Sequence, residues 1–275
     1  MTKKLRAVLI CVLAAIFIIS TSMYISQLID KERSKEIYND ALNIALGIED
    51  AGAEEIEIEP EPQTTWIPAP IEEEDKEIEK MEQLDLNKLR EYNEDVVGWI
   101  RIPGVKEIDF PIMQGEDNKY YLEHAWDGSE NVTGSIFLEY LNSSDYTDYN
   151  TIVYGHNMRN GAMFAKLHLY RDQGTLDYWP YVYIRTDEGV LRYEIFASFY
   201  APLDSPAYGL SFNQEETKVK LLEYAKENSE VKVDFEPELT DRILTLSTCS
   251  TSDKEQRWVV QARLKMIEVP LEEAE

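Results

Sequence analysis

Thiols are nearly absent from this chain. Only two of its 275 residues are cysteine, Cys11 and Cys249. Cys11 sits inside an N-terminal apolar run, so the remainder carries one thiol and can form no internal disulfide. Stability must then come from a hydrophobic core, and 44% hydrophobic residues suffice for one sizeable domain plus extras. Histidine is also sparse, at three. With no CxxC, no HExxH and no Asp-x-Asp-x-Asp-Gly loop, zinc and calcium sites are not expected. The P-loop, GxGxxG and GxSxG patterns are missing as well, which removes the usual nucleotide and serine-hydrolase readings. No metal or organic cofactor is expected. Positive charge is the last shortage: 27 basic against 53 acidic residues give a net charge of -26. Such a chain cannot neutralise phosphates, which argues against nucleic acid as a partner, and its surface repels polyanions.

Charge disappears altogether between Ala7 and Ile25. As a helix this run rises ~28 Å, close to the ~30 Å hydrocarbon core of a bilayer. Lys3, Lys4 and Arg6 precede it, and Asp30 and Glu32 follow. The positive-inside rule then keeps the N-terminus in the cytoplasm. A cleaved signal peptide is the competing reading, but the run is long and no small-x-small site follows it. The expectation is a single-pass cell-membrane protein anchored through residues 1–25, with its main domain extracellular.

Residues 26–50 have helical spacing and read as a juxtamembrane helical segment. Composition then shifts. Residues 51–82 are dense in glutamate and hold Pro60, Pro62, Pro68 and Pro70; charge repulsion and proline both extend such a chain, so a disordered spacer is expected. Residues 83–275 remain as the globular domain. It opens with a short helix over Leu84–Glu94. Strand-like runs rich in Ile, Val, Tyr and Phe follow at Val97–Ile102, Ile108–Met113, Ser135–Glu139, Thr151–Gly155, Tyr181–Thr186, Val190–Ala201, Ile243–Thr248 and Arg257–Ile267. Many strands with irregular links predict a mainly β fold, a closed barrel with appended helices. One helix, Asn213–Asn228, interrupts the pattern in the long connection before the Cys249 strand.

Cys249 lies between Thr248 and Ser250, where an apolar run has just ended. A buried core cysteine is the competing reading, but a strand end suits a nucleophile, which needs access and a cationic neighbour to favour thiolate. His156 directly follows a strong strand run in Val153-Tyr-Gly-His-Asn-Met158, and Gly155 could allow a tight turn that presents the ring. His124 and His168 sit in mixed sequence and read as structural. Arg257 opens the last strand shortly after Cys249. Two antiparallel strands joined by a short loop would set Cys249 beside Arg257, whose guanidinium could donate to the oxyanion of an acyl-transfer intermediate. Arg242 and Arg263 lie elsewhere on these strands.

These segments together resemble the sortases, and specifically class B. Thr245-Leu-Ser-Thr-Cys249 followed by Arg257-Trp-Val-Val260 resembles the family's cysteine and arginine segment. Tyr154-Gly-His-Asn-Met158 with Gly161-Ala-Met-Phe164 resembles its histidine segment. Gly98-Trp-Ile-Arg-Ile-Pro-Gly104, Ile108-Asp-Phe-Pro111 and Gly134-Ser-Ile-Phe-Leu138 resemble class B barrel segments. The resemblance covers about Leu84 to Ile267. It implies an eight-stranded barrel and a cysteine transpeptidase with His156, Cys249 and Arg257 as its catalytic residues. The implied substrate is an exported protein bearing a C-terminal sorting signal similar to Asn-Pro-x-Thr, joined through a thioacyl intermediate to an amine of peptidoglycan or its precursor. The family places its specificity groove on the connection Ser205–Val233 and near Leu246, Ser247 and Thr248. A hydrolase of cell-wall peptides and a silent peptide-binding barrel are the alternatives. Within the spacer, Pro62-Gln-Thr-Thr65 resembles the core of such a signal, with Glu61 where Asn is expected; short proline–threonine strings are common in linkers, so a chance match is preferred over self-occupancy by the tether.

Overall fold

The computed structural model describes residues 3–48, 71–105, 108–158, 161–249 and 256–268. The chain divides into two compact units, Met1–Asn39 and Asp40–Glu275. Helix α1 (Lys3–Leu46) supplies the first. Among the described residues no helix is long and apolar enough to cross a membrane. This corrects the expected single-pass anchor, and with it the membrane partner and the extracellular placement that rested on the anchor. The helix does not stop where the apolar run stops. It passes through Ser20-Thr21-Ser22, where Thr21 Oγ1 donates to the Phe17 carbonyl at 2.8 Å, and continues through Asp30-Lys31-Glu32-Arg33.

The prolines of the expected spacer, and the string Pro62–Thr65, lie outside the described residues. The end of that stretch is helix α2 (Ile71–Glu82). Its glutamates alternate with residues that bury, among them Ile78 and Met81. Glu77 meets Arg101 Nε at 3.2 Å, tying the helix to the barrel. Helix α3 (Leu86–Arg90) follows. The Asp85 carboxylate accepts from the Asn87 amide at 3.0 Å and caps one of its free N–H groups. Leu86 and Leu89 turn inward.

The barrel is formed by β1 (Val96–Arg101), β2 (Asp109–Met113), β3 (Ile136–Leu138), β4 (Asn150–Gly155), β5 (Tyr181–Thr186), β6 (Gly189–Pro202), β7 (Ile243–Cys249) and β8 (Gln256–Glu268). It closes in the order β1-β2-β3-β4-β7-β8-β6-β5. The β2–β3 and β4–β7 pairs are parallel and the others antiparallel. The expected mainly β barrel with helices is therefore present. Helix α4 (Gln173–Tyr178) and helix α5 (Glu215–Asn228) complete the described helices. Helix α5 lies in the β6–β7 connection. Leu221 and Ala225 pack it against Phe196, Phe199, Ile243 and Val259 on the barrel wall. Burying a leucine fully is worth ~1.5–3 kcal/mol, so Leu221 is a main anchor of helix α5 on this face.

Candidate active site

The barrel order explains how distant segments meet. Parallel pairing of β4 with β7 sets Gly155 opposite Thr248. Antiparallel pairing of β7 with β8 sets Cys249 opposite Arg257. His156 is the first residue past β4, and Cys249 is the last of β7. Neighbouring strands run about 4.8 Å apart. His156, Cys249 and Arg257 therefore occupy one end of three adjacent strands, with the cysteine position in the middle. The side chain of Cys249 and the loop 250–255 lie outside the described residues, so the backbone register carries this placement. Arg263 and Arg242 are engaged elsewhere. Arg263 Nη2 meets Glu194 at 2.8 Å, and Arg242 Nη1 donates to the Tyr146 carbonyl at 3.2 Å.

His156 is half-buried and its Nε2 lies 2.8 Å from the Leu122 carbonyl. A carbonyl only accepts, so Nε2 carries a proton. In the neutral ring Nδ1 is then the basic nitrogen. The turn that presents Leu122 is the 3₁₀-helix Tyr120–Leu122. Gly134, at φ 56°, allows that turn its close approach: a Cβ there would lie 2.5 Å from the Tyr121 carbonyl oxygen and 2.7 Å from that of Leu122. Gly155 serves packing rather than a left-handed turn. Its missing Cβ would lie 2.5 Å from Ile136 and 2.7 Å from Phe164.

Past His156 the chain folds back. Asn157 bridges to Met163, and the Phe164 amide donates to the His156 carbonyl at 3.0 Å. The 3₁₀-helix Phe164–Arg171 begins there. His124 stacks on Tyr120 at 3.9 Å between centroids, and its Nδ1 meets the Tyr120 carbonyl. His168 packs near Trp258 and pairs with Asn157.

Leu246, Ser247 and Thr248 are 0%, 2% and 1% exposed. They form barrel wall rather than an open groove floor. Ser247 Oγ lies 2.8 Å from the hydroxyl of Tyr208. Tyr208 ends the 3₁₀-helix Pro206–Tyr208, within the connection expected to hold the groove. Burial pushes its phenol up to about 12, while the Ser247 bond and the Arg257 charge pull the other way. Tyr154 on β4 is likewise pushed well up, first by burial and then by Glu139, whose carboxylate accepts from it at 2.8 Å. Arg257 opposes this shift too. The guanidinium charge thus acts on two tyrosines flanking the cysteine strand. Neither Tyr208 nor Leu122 stood out in the sequence, and Tyr154 entered only as part of the histidine segment. Leu122 acts through its backbone, which has no residue signature.

A strand-end thiol position between a histidine and an arginine suits acyl transfer: a nucleophile, a proton carrier and an oxyanion donor. A family model described as Sortase domain matches residues 100–265. Sortase B of Listeria monocytogenes is 38% identical over 184 residues, covering 66% of this chain and 74% of that protein. The structure of Clostridium perfringens sortase B superposes with a TM-score of 0.62 at 33% identity, covering 66% of this chain and all of that one. A Staphylococcus aureus sortase B–substrate complex gives a TM-score of 0.62 at 26% identity, covering 70% of this chain and 87% of that one.

Proposed function

Since this chain belongs to the sortase family and to its class B, whose members are cysteine transpeptidases, we propose that it cleaves an Asn-Pro-x-Thr-like C-terminal signal after threonine and passes the acyl group to an amine of peptidoglycan or its precursor. The Cys249 thiolate attacks the threonine carbonyl carbon. The guanidinium of Arg257 holds the oxyanion as the tetrahedral intermediate forms. The C–N bond then breaks, His156 gives its proton to the leaving amine, and a thioester joins the substrate to Cys249. The acceptor amine attacks that thioester. His156 takes the amine's proton, and the thiolate leaves as an amide forms.

The Cys249–Arg257 backbone pair, with His156 at the end of the parallel neighbour, is the observation that carries this reading. The Leu122 carbonyl supports the role of His156, because it holds the ring in one tautomer through a proton exchange at Nδ1. Tyr208, half-buried beside the strand and linked to Ser247, is the group through which the β6–β7 connection contacts the signal. Domain organisation follows the same reading, with residues 83–275 as the catalytic domain.

A fluorogenic Asn-Pro-Gln-Thr peptide, incubated with and without an amine acceptor, tests the proposal. Cleavage that requires Cys249, and a ligated product when amine is present, are expected. Release of free acid alone, unchanged by amine, would replace transpeptidation with hydrolysis.

A further inference from the structure

Two residues adjacent to the proposed catalytic groups are fastened to consecutive residues of one short element. Asn157 follows His156, and its Nδ2 lies 3.1 Å from His168 Nε2. Trp258 follows Arg257, and its Nε1–H donates to the Leu167 carbonyl at 2.9 Å. Leu167 and His168 are neighbours on the 3₁₀-helix Phe164–Arg171. The same imidazole packs on that indole, with ring centroids 5.3 Å apart. Trp258 is fully buried and lies opposite Thr248 in the β7–β8 ladder. Arg171 covers the far side of the cluster, 5.0 Å from the centroids of both Tyr200 and Trp258, and its Nε meets Glu230 at 3.3 Å.

We infer that His168 is a positioning residue: with Asn157 and Trp258 it sets the His156 loop at a fixed distance from the Cys249–Arg257 strand pair. The inference rests on the proposed role of His156. The Asn157 amide donates, so His168 must accept through Nε2 and keep its proton on Nδ1. Burial and the Arg171 charge favour that neutral ring, with Glu230 opposing. Among the described residues the other ties of the His156 segment include the Leu122 carbonyl on the ring, the Asn157–Met163 bridge and the Phe164 amide bond to the His156 carbonyl, the last two within the segment itself. Without His168 the Asn157 side chain loses its link to the Trp258 cluster, and the His156 ring is left to the Leu122 carbonyl. The thiol–arginine pair, held by the ladder itself, is untouched.

The test uses the full chain. His168→Ala should slow single-turnover acylation by the signal peptide about tenfold, because small displacements of a proton carrier are costly, with KM for the peptide nearly unchanged. His168→Gln, whose amide oxygen can accept from Asn157, should recover most of the rate. Asn157→Ala keeps the imidazole packed on Trp258 and should slow acylation as His168→Ala does; this variant decides the matter if His168→Ala does not fold. Selective ¹⁵N labelling of the three histidines gives a readout independent of peptide turnover. The wild type should show His156 as the Nε2–H tautomer, and Asn157→Ala should show mixed tautomers. Wild-type acylation rates in His168→Ala and Asn157→Ala, or an unchanged His156 spectrum, would overturn the inference. A wild type that never cleaves the peptide would sink the proposed function instead, and the tautomer comparison would then decide the positioning role alone.

Discussion

The two flanks of the cysteine position are built differently. On one side, Arg257 reaches Cys249 through the register of a single antiparallel ladder between strands close in sequence. On the other, His156 follows a strand that pairs in parallel with β7 across a long connection. Its ring is held by a carbonyl from a third segment, Leu122, and its loop by His168. Ladder hydrogen bonds make the first flank stiff and local. The second depends on tertiary contacts that each can fail alone. Substitutions should therefore separate the two, leaving the thiol–arginine pair in place while the histidine drifts.

The largest effect is expected at the chemical groups. Cys249→Ala and His156→Ala should abolish peptide cleavage, and Arg257→Ala should lower kcat by roughly 10²–10³-fold, the scale of a lost oxyanion donor. Comparable kcat for Arg257→Ala and wild type in a stopped-flow assay would break the ladder side of the comparison. Next comes Gly155→Val, which drives a side chain into Ile136 and Phe164 and should cost about 1–3 kcal/mol of stability by overpacking. Denaturant titration reads this directly, and the activity loss should exceed the fraction unfolded. Gly134→Ala strains a φ of 56° and presses on the Tyr121 and Leu122 carbonyls. It should slow acylation while iodoacetamide still alkylates Cys249 at the wild-type rate; equal losses in both would erase the distinction between the flanks.

A smaller effect is expected from Tyr208→Phe. It leaves Ser247 without its partner and should cost about 1 kcal/mol, raising KM for the peptide more than it lowers kcat. The smallest concerns acid. Burial, then Arg171, holds His168 below its ordinary value of 6.5. The unfolded chain thus binds more protons than the folded one as pH drops below that value. This contribution to stability is present above about pH 6.5 and is lost as pH falls through the folded pKa. A plot of Tm against pH should be flatter for His168→Gln than for the wild type between about pH 7 and 5.

The strands were legible because their Ile, Val, Tyr and Phe runs end at clear breakers. Their pairing was legible for β7 with β8, joined by a short loop, but nothing local places β4 beside β7. Helix α2 was hidden by its own glutamates. Its few apolar residues, Ile78 and Met81, acquire meaning only once the barrel offers them a surface. Cys249 and Arg257 could be found because proximity in sequence became proximity in the ladder. His156 was found as a strand-end residue, although Gly155 beside it answers a packing demand rather than a turn. Leu246, Ser247 and Thr248 were expected at a groove, yet they are buried in the barrel wall, with Tyr208 of the β6–β7 connection bonded to Ser247. His168 was read as structural from its mixed surroundings. Its partners Asn157 and Trp258 lie on different segments and meet only in the fold. The anchor expected from the apolar N-terminal run is not met, since among the described residues no helix is long and apolar enough to cross a membrane.

The account stands most directly on the bond it assigns to Cys249. Mass spectrometry of the chain quenched during turnover, with the Asn-Pro-Gln-Thr peptide and no acceptor, should find the peptide's acyl fragment on the proteolytic fragment holding Cys249. Addition of an amine should discharge it as a ligated product. Cleavage that proceeds with no adduct on Cys249, and equally well in Cys249→Ala, would contradict it.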